Sequence, residues 1–323
     1  MPEDDHAEKR LPTALVYSPE YKDHQTGPGH PESPRRLDAI IEALRPKNLG
    51  VELVLLKPRA ATKDEILLCH TQRYYDLAKR DIESGAGMLS TGDTNVSRQS
   101  FDAALLAAGG TITAVDEVMA GRVQNAFCAV RPPGHHARPG QGMGFCVFNN
   151  AAIAARYAQR KHKISKVLIA DWDVHHGNGT QDIFYEDGSV LFFSTHQWPL
   201  YPGTGRREET GKGPGLGTTM NFPVPAGSGR KEIVGAFRDH LIPAAEKFKP
   251  EFVIISAGFD SRIDDPLGSL RLTDADFTEL TGIMKDIAAR HAKGRLVSTL
   301  EGGYSLEGLA KGTAAHVRAL AGE

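Results

Sequence analysis

Apolar residues along the chain follow two rhythms. Short apolar runs occupy Leu11–Tyr17, Val51–Leu56, Asn125–Arg131, Lys166–Asp173, Val190–Ser194, Thr218–Phe222, Glu251–Ala257 and Arg295–Leu300. Most lack strict polar alternation, which suits strands covered on both faces. Between them lie stretches with apolar positions at helical spacing. Ser33-Pro34 offers a cap and a first-turn proline for a helix to about Leu44. Thr62–Glu65 and Thr273–Asp276 read as capping boxes, the second with Asp in place of Glu. Ser97–Ala120, stopped by Gly121, together with Asn149–Lys161, Gly229–Phe248 and Ser305–Ala321 complete the helices. Strand and helix in alternation predict an α/β fold, a single-domain doubly wound parallel sheet with helices on both faces. No Pro/Ser-rich linker and no internal repeat divides the chain. Residues 13–323 therefore read as one domain, with residues 1–12 expected to be a flexible tail.

Composition narrows the class. The chain has 323 residues, 40% apolar and 24% charged, a globular mixture. A net charge of −2 supplies no basic field for a nucleic-acid backbone, so no direct nucleic-acid partner is expected. The polar N-terminus lacks the apolar stretch of a signal peptide. The charge-free stretches 188–205 and 213–229 are broken by Gly, Pro and polar residues, so no membrane span is expected. Three cysteines without a Cys-x-x-Cys pair read as reduced thiols, which points to a cytoplasmic protein. Histidine is the unusual residue, with 13 copies and adjacent pairs at 135–136 and 175–176.

In a parallel sheet, chemistry collects beyond the C-terminal ends of the strands. Four such ends are unusual: Arg131-Pro-Pro-Gly-His-His136, Asp171-Trp-Asp-Val-His-His-Gly-Asn-Gly179, Ser256-Ala-Gly-Phe-Asp260 and Leu300-Glu-Gly-Gly-Tyr304. Asp173 and His175 are two apart, so an extended segment puts both on one face, and Asp260 can add a third ligand. Two carboxylates and one imidazole leave a coordination position open, as in a catalytic zinc site, although Fe(II) or Co(II) would also suit the set. An isolated Asp-x-His is more often a capped surface turn. Here it ends an apolar run, where an unpaired carboxylate is costly. Of His135 and His136, one can serve as general base on a metal-activated water and the other as its charged partner. Asp171 shares the face of Asp173 and can orient an imidazole. Tyr304 follows Gly302 and Gly303, which permit close backbone approach, and its phenol can donate to a developing oxyanion. The six glycines of segment 203–217 do not make a phosphate loop, because Lys212 lacks a following Ser or Thr and Glu208-Glu209 would repel phosphate.

Together with Tyr201-Pro-Gly-Thr-Gly205, these motifs occur in an order that resembles the zinc-dependent histone deacetylase family across about residues 13–320. Leu300-Glu301 and Asn178 are closer to the class II and bacterial members. The resemblance implies an arginase/deacetylase-like fold and hydrolysis of an N-acyl amide, typically acetyl-lysine. Small acetylated amines, an acetylpolyamine or an arylalkylamide, are the alternative substrates. By the same resemblance Asp173, His175 and Asp260 are the zinc ligands, and His135, His136 and Tyr304 are catalytic. Gly144, Phe145, Tyr201, Leu267, Gly302 and Gly303 would line the substrate tunnel, with Arg36 at an internal pocket beneath it. Asp171, Asp173, His175, Ser194 and Thr195 correspond to a structural potassium site, and Phe184, Asp187 and Val190 to a second. One departure is Asn178, which stands where class I members carry an aspartate behind the second histidine. A binuclear ureohydrolase of the same fold would need acids at positions occupied here by Gly177 and Arg262, so one metal is expected. A non-catalytic acyl-binding module should have lost a ligand or the tyrosine, and none is lost. In the polyamine-deacetylating branch a glutamate precedes the glycine of the Pro-x-Gly segment, where this chain has Leu267. Asp93 and Asp264 are candidates to hold a peptide backbone or a cation.

Overall fold

The computed structural model describes residues 11–323. Of the tail expected over residues 1–12, all but Leu11 and Pro12 lies outside the described residues. Among the described residues eight strands form one sheet: β1 Thr13–Val16, β2 Val54–Leu56, β3 Asn125–Cys128, β4 Val167–Asp171, β5 Val190–Gln197, β6 Thr219–Val224, β7 Phe252–Ala257 and β8 Leu296–Leu300. Their order is β2-β1-β3-β8-β7-β4-β5-β6, and every pairing is parallel. Each predicted run overlaps one of these strands. The inner ones are buried throughout and mostly apolar because helices cover both faces. Neighbouring residues of β3 show the two layers. The Phe127 ring lies 5.6 Å from His316 of helix Leu306–Ala321, whereas Cys128 faces Gly110 of helix Ser100–Met119.

Two elements depart from the expected pattern. The apolar run at β2 becomes an edge strand, and Leu55 is 66% exposed. The helix expected over 229–248 is interrupted by a π-helical turn at Phe237–Leu241, followed by Ile242–Phe248. Pro243 has no N–H to return to the preceding turn, and a wider turn makes room for its ring. Sequence pattern also missed helix Gln72–Ser84, which Thr71 caps through its hydroxyl to Tyr74 N at 3.2 Å. Among the described residues no helix is long and apolar enough to cross a membrane.

The strand order matters most for the site. β3, β8, β7 and β4 are consecutive in the centre of the sheet. The four unusual strand ends, scattered over some 170 residues of sequence, therefore emerge side by side.

Candidate active site

The turn after β3 delivers His135 and His136. Glu301, leaving β8, fixes this turn: its Oε2 accepts from Gly134 N at 2.7 Å and His135 N at 3.0 Å. His135 Nδ1 lies 2.9 Å from Asp171 Oδ2, at the end of β4. His136 Nδ1 lies 2.7 Å from Asn178 Oδ1. The two rings, with centroids 4.0 Å apart, thus have different partners. Burial opposes charge on His135, but Asp173, Asp171 and Glu301 outweigh it and lift the imidazole well above its usual value. Burial, reinforced by His135 and His175, holds His136 well below. The surroundings thus push the two rings in opposite directions, His135 toward the cation and His136 toward the neutral form.

Asp173, His175 and Asp260 converge beside them. All three are buried, with candidate ligand atoms within 4.8 Å of one another. His175 Nδ1 is 3.0 Å from Asp173 Oδ1 and 3.3 Å from Asp260 Oδ2. Backbone donors hold the carboxylates: Gly302 N reaches Asp173 Oδ2 at 2.8 Å, and Val174 N reaches Asp260 Oδ1 at 2.9 Å. Asp260 Oδ2 is buried and has no well-formed hydrogen bond. Burial and the Asp173 charge push the Asp260 carboxyl up to about 7. Two buried carboxylates crowded together, one with an unsatisfied oxygen, are a donor set that a divalent cation would complete. A side chain at position 302 could not coexist with this arrangement, since its Cβ would lie 1.9 Å from Asp260 Oδ2. Position 177 is equally closed, at 2.3 Å from Asp171 Oδ2, so there is no room there for the extra acid of a second metal.

Tyr304 closes the opposite side. Its ring is half-buried in the cavity wall, and desolvation and Asp260 raise the phenol well above its ordinary value, so it stays a proton donor. Arg36, fully buried, sits beneath it. Nε donates to Gly303 O at 2.7 Å, Nη2 to Glu301 O at 2.5 Å, and the guanidinium lies 5.1 Å from the Tyr304 ring centre. Glu32 pairs with both Arg36 and Arg131.

A cavity of about 290 Å³ opens over these groups, lined by Asp93, His136, Gly144, Phe145, His175, Leu200, Tyr201, Leu267 and Tyr304. Four of the expected wall residues, Gly144, Phe145, Tyr201 and Leu267, are in it. Gly302 and Gly303 are not: their backbones turn down to Asp173 and Arg36. A larger, open depression of about 660 Å³ around Arg138 and Arg156 has a charged lining and none of the converging groups. Asp93 Oδ1 accepts from Gly144 N at 2.7 Å and from the Tyr201 hydroxyl at 3.4 Å, which places it at the cavity. Asp264 instead pairs with Arg262 at the start of helix Leu306–Ala321. Leu200, Glu301, Glu32 and Asp265 belong to this constellation and were not singled out from sequence. Glu301 stood inside a motif already noted, but the burial of its carboxyl under the His135 turn is a tertiary fact.

The other expected cation sites lie nearby. Asp171 pairs in register with Ser194 across β4 and β5; Ser194 Oγ contacts His196 Nδ1 at 3.0 Å, and Thr195 Oγ1 is buried without a partner. At the second set, Arg156 and Ser189 occupy the Asp187 carboxylate, and the Arg156 guanidinium lies 4.6 Å from the Phe184 ring centre. Val190 begins β5.

The histone deacetylase domain family matches residues 30–320. A probable deacetylase of Archaeoglobus fulgidus is 44% identical over 298 residues, 92% of this chain and 82% of that protein. The polyamine deacetylase HDAC10 of Homo sapiens is 40% identical over 306 residues, 90% of this chain and 45% of that protein. The histone deacetylase-like amidohydrolase of Pseudomonas aeruginosa is 39% identical, covering 86% and 73%. The crystal structure of the HDA15 HD domain superposes with a TM-score of 0.91 at 38% identity, over 97% of this chain and 89% of that one. With its motifs brought together on one edge of the same fold, the chain is a hydrolase of amide bonds that belongs to the histone deacetylase family.

Proposed function

We propose that residues 13–323 form a zinc-dependent amidohydrolase that removes acetyl groups from the ε-amine of lysine. The observation that carries this reading is the placing of His136, His175 and Tyr304 in the wall of one largely apolar cavity, with Asp173 and Asp260 directly beneath. Asp173, His175 and Asp260 would hold a zinc ion, which would supply Lewis-acid polarisation of water and of the amide carbonyl. His136 accepts the proton of the attacking water at Nε2, because Nδ1 is committed to Asn178. The Tyr304 hydroxyl donates to the oxygen of the carbonyl as it gains charge. His135, cationic against Asp171, stabilises that charge, and the proton taken up by His136 passes to the departing amine. Phe145, Leu200 and Leu267 suit the aliphatic stem of a lysine, and Asp93 at the same cavity can hold the attached backbone.

Asp171, Asp173, His175, Ser194 and Thr195 are proposed to hold a structural potassium ion; the unpartnered Thr195 hydroxyl supports that reading. Three buried free cysteines, Cys69, Cys128 and Cys146, suit a reducing compartment such as the cytoplasm. Deacetylation of small acetylated amines is the second reading, favoured by the similarity to a polyamine deacetylase. Amine release from an acetyl-lysine peptide, measured beside acetylspermidine and an arylalkylamide, tests both. Release from none of the three overturns the proposal.

A further inference from the structure

Tyr304 stands outside regular structure, between the end of β8 and helix Leu306–Ala321. Arg36 holds the carbonyl side of this segment from below. The N–H side is held by a different residue, Asp265, which is 7% exposed. Its Oδ2 accepts from Tyr304 N at 2.6 Å and from Ser305 N at 3.1 Å. Its Oδ1 accepts from Leu267 N at 2.9 Å. Asp265 is itself on a short loop that starts at the Asp260 end of β7 and is closed at its base by Leu272 N to Ser261 O at 3.1 Å and Ile263 N to Leu272 O at 3.0 Å. The carboxylate is thus a fixed post with three backbone donors on it.

We infer that Asp265 is a positioning residue for hydrolysis: it sets the height of the Tyr304 phenol over the cavity floor and locks the Leu267 wall to the same point. The segment it restrains needs restraint. Gly302 and Gly303 precede Tyr304, and Gly303 has a φ of +121°, so the backbone there has no side chain to limit its swing. A phenol that must meet the carbonyl oxygen only as charge develops loses most of its effect when displaced by about 1 Å, which costs on the order of 10²-fold in rate. This inference rests on the reading of Tyr304 as the oxyanion donor.

Four variants test it on the metal-loaded protein with an acetyl-lysine peptide: Asp265→Ala, Asp265→Asn, Tyr304→Phe and the Asp265→Ala/Tyr304→Phe double. Asp265→Ala is expected to lower kcat about 10²-fold, to change KM far less, and to keep its metal. Asp265→Asn, which retains one acceptor oxygen, is expected to fall between Asp265→Ala and the unmodified protein. In the Tyr304→Phe background the Asp265→Ala change is expected to cost less than about threefold, because the group it positions is already gone. A loss that persists in full in that background overturns the inference and leaves the role of Tyr304 intact. A near-normal kcat for Tyr304→Phe removes both. Should Asp265→Ala fail to fold, Asp265→Asn is read through the same cycle, with the same overturning result.

Discussion

Asn178 Oδ1 accepts the Nδ1 hydrogen of His136 at 2.7 Å, and this one contact fixes which nitrogen of the imidazole is left to act as a base. The neighbouring ring, His135, has a carboxylate in the equivalent place. An amide orients its histidine without stabilising the cation, whereas a carboxylate does both. His136 must be unprotonated to act, and its pKa is held low by burial, His135 and His175. Activity is therefore expected to persist into mildly acidic solution and to fall only as pH drops through that low value. Asn178→Asp places an opposite charge on the ring and is expected to raise the acid limb of kcat/KM by about one pH unit. A limb that stays put would show that His136 is not the titrating base.

Tyr304→Phe removes the phenol hydroxyl and leaves the ring, with its neighbours Phe145 at 6.1 Å and Arg36, in place. Metal content and KM are expected to stay close to those of the unmodified protein. The loss is expected in kcat, on the order of 10²–10³-fold, the usual cost of one oxyanion donor. Near-normal turnover would reduce Tyr304 to a wall residue.

Asp260→Ala is expected to abolish binding of the metal, since it removes one of three ligands and leaves Asp173 and His175 as an incomplete set. Elemental analysis of the unmodified protein is expected to give one metal ion per chain. Two tightly bound ions per active chain, or full activity in Asp260→Ala, would contradict the single-metal assignment.

The support under Tyr304 carries stability as well as position. Burial alone would raise the Glu32 carboxyl, but Arg131 and His24 hold it well below the usual range. A depressed carboxylate stabilises the fold fully above its ordinary value, and that contribution is lost as pH falls through the folded value. Glu32→Gln leaves Arg131 and Arg36 buried without their counter-charge and is expected to destabilise the protein by about 3–5 kcal/mol at neutral pH. The gap in urea midpoint between the two proteins is expected to shrink in acid. A midpoint unchanged at neutral pH would mean that the pairing contributes nothing net.

Pairings of this kind mark the boundary of what the chain reveals in one dimension. Most strands are legible because burial on both faces favours continuous apolar runs. Asp173 and His175 are legible because they end such a run, but not for the reason of a shared strand face. β4 stops at Asp171, and the pair sits on the bend beyond it, where Asp173 Oδ1 accepts from His175 N at 2.8 Å. Glu32 and Arg131 meet across 99 positions, and Asp265 and Tyr304 across 39. Nothing in the local sequence around Glu32 or Asp265 distinguishes either from a surface charge. Helix Gln72–Ser84 was missed although Thr71 and Gly85 bracket it. The exposed face of β2 follows from its edge position, which depends on the order of the other seven strands.

Substrate choice turns on Leu267. It is half-buried in the cavity wall with Phe145, Leu200 and Tyr304, and its backbone is pinned by Asp265. A leucine there packs against methylene groups and offers nothing to a second ammonium ion along the substrate. Asp93 is the one carboxylate among the residues lining that cavity, and Gly144 N and the Tyr201 hydroxyl already engage its Oδ1. An acetyl-lysine peptide is therefore expected to be cleaved with a higher kcat/KM than acetylspermidine. Leu267→Glu supplies the missing charge. A partly exposed ion pair is worth about 1 kcal/mol, so the ratio of the two kcat/KM values is expected to move about fivefold toward acetylspermidine. The gain should shrink at high salt, because the new attraction is screened. If the unmodified protein cleaves acetylspermidine faster than the peptide, the cavity reads a cation through Asp93 alone, and Leu267 serves only as packing.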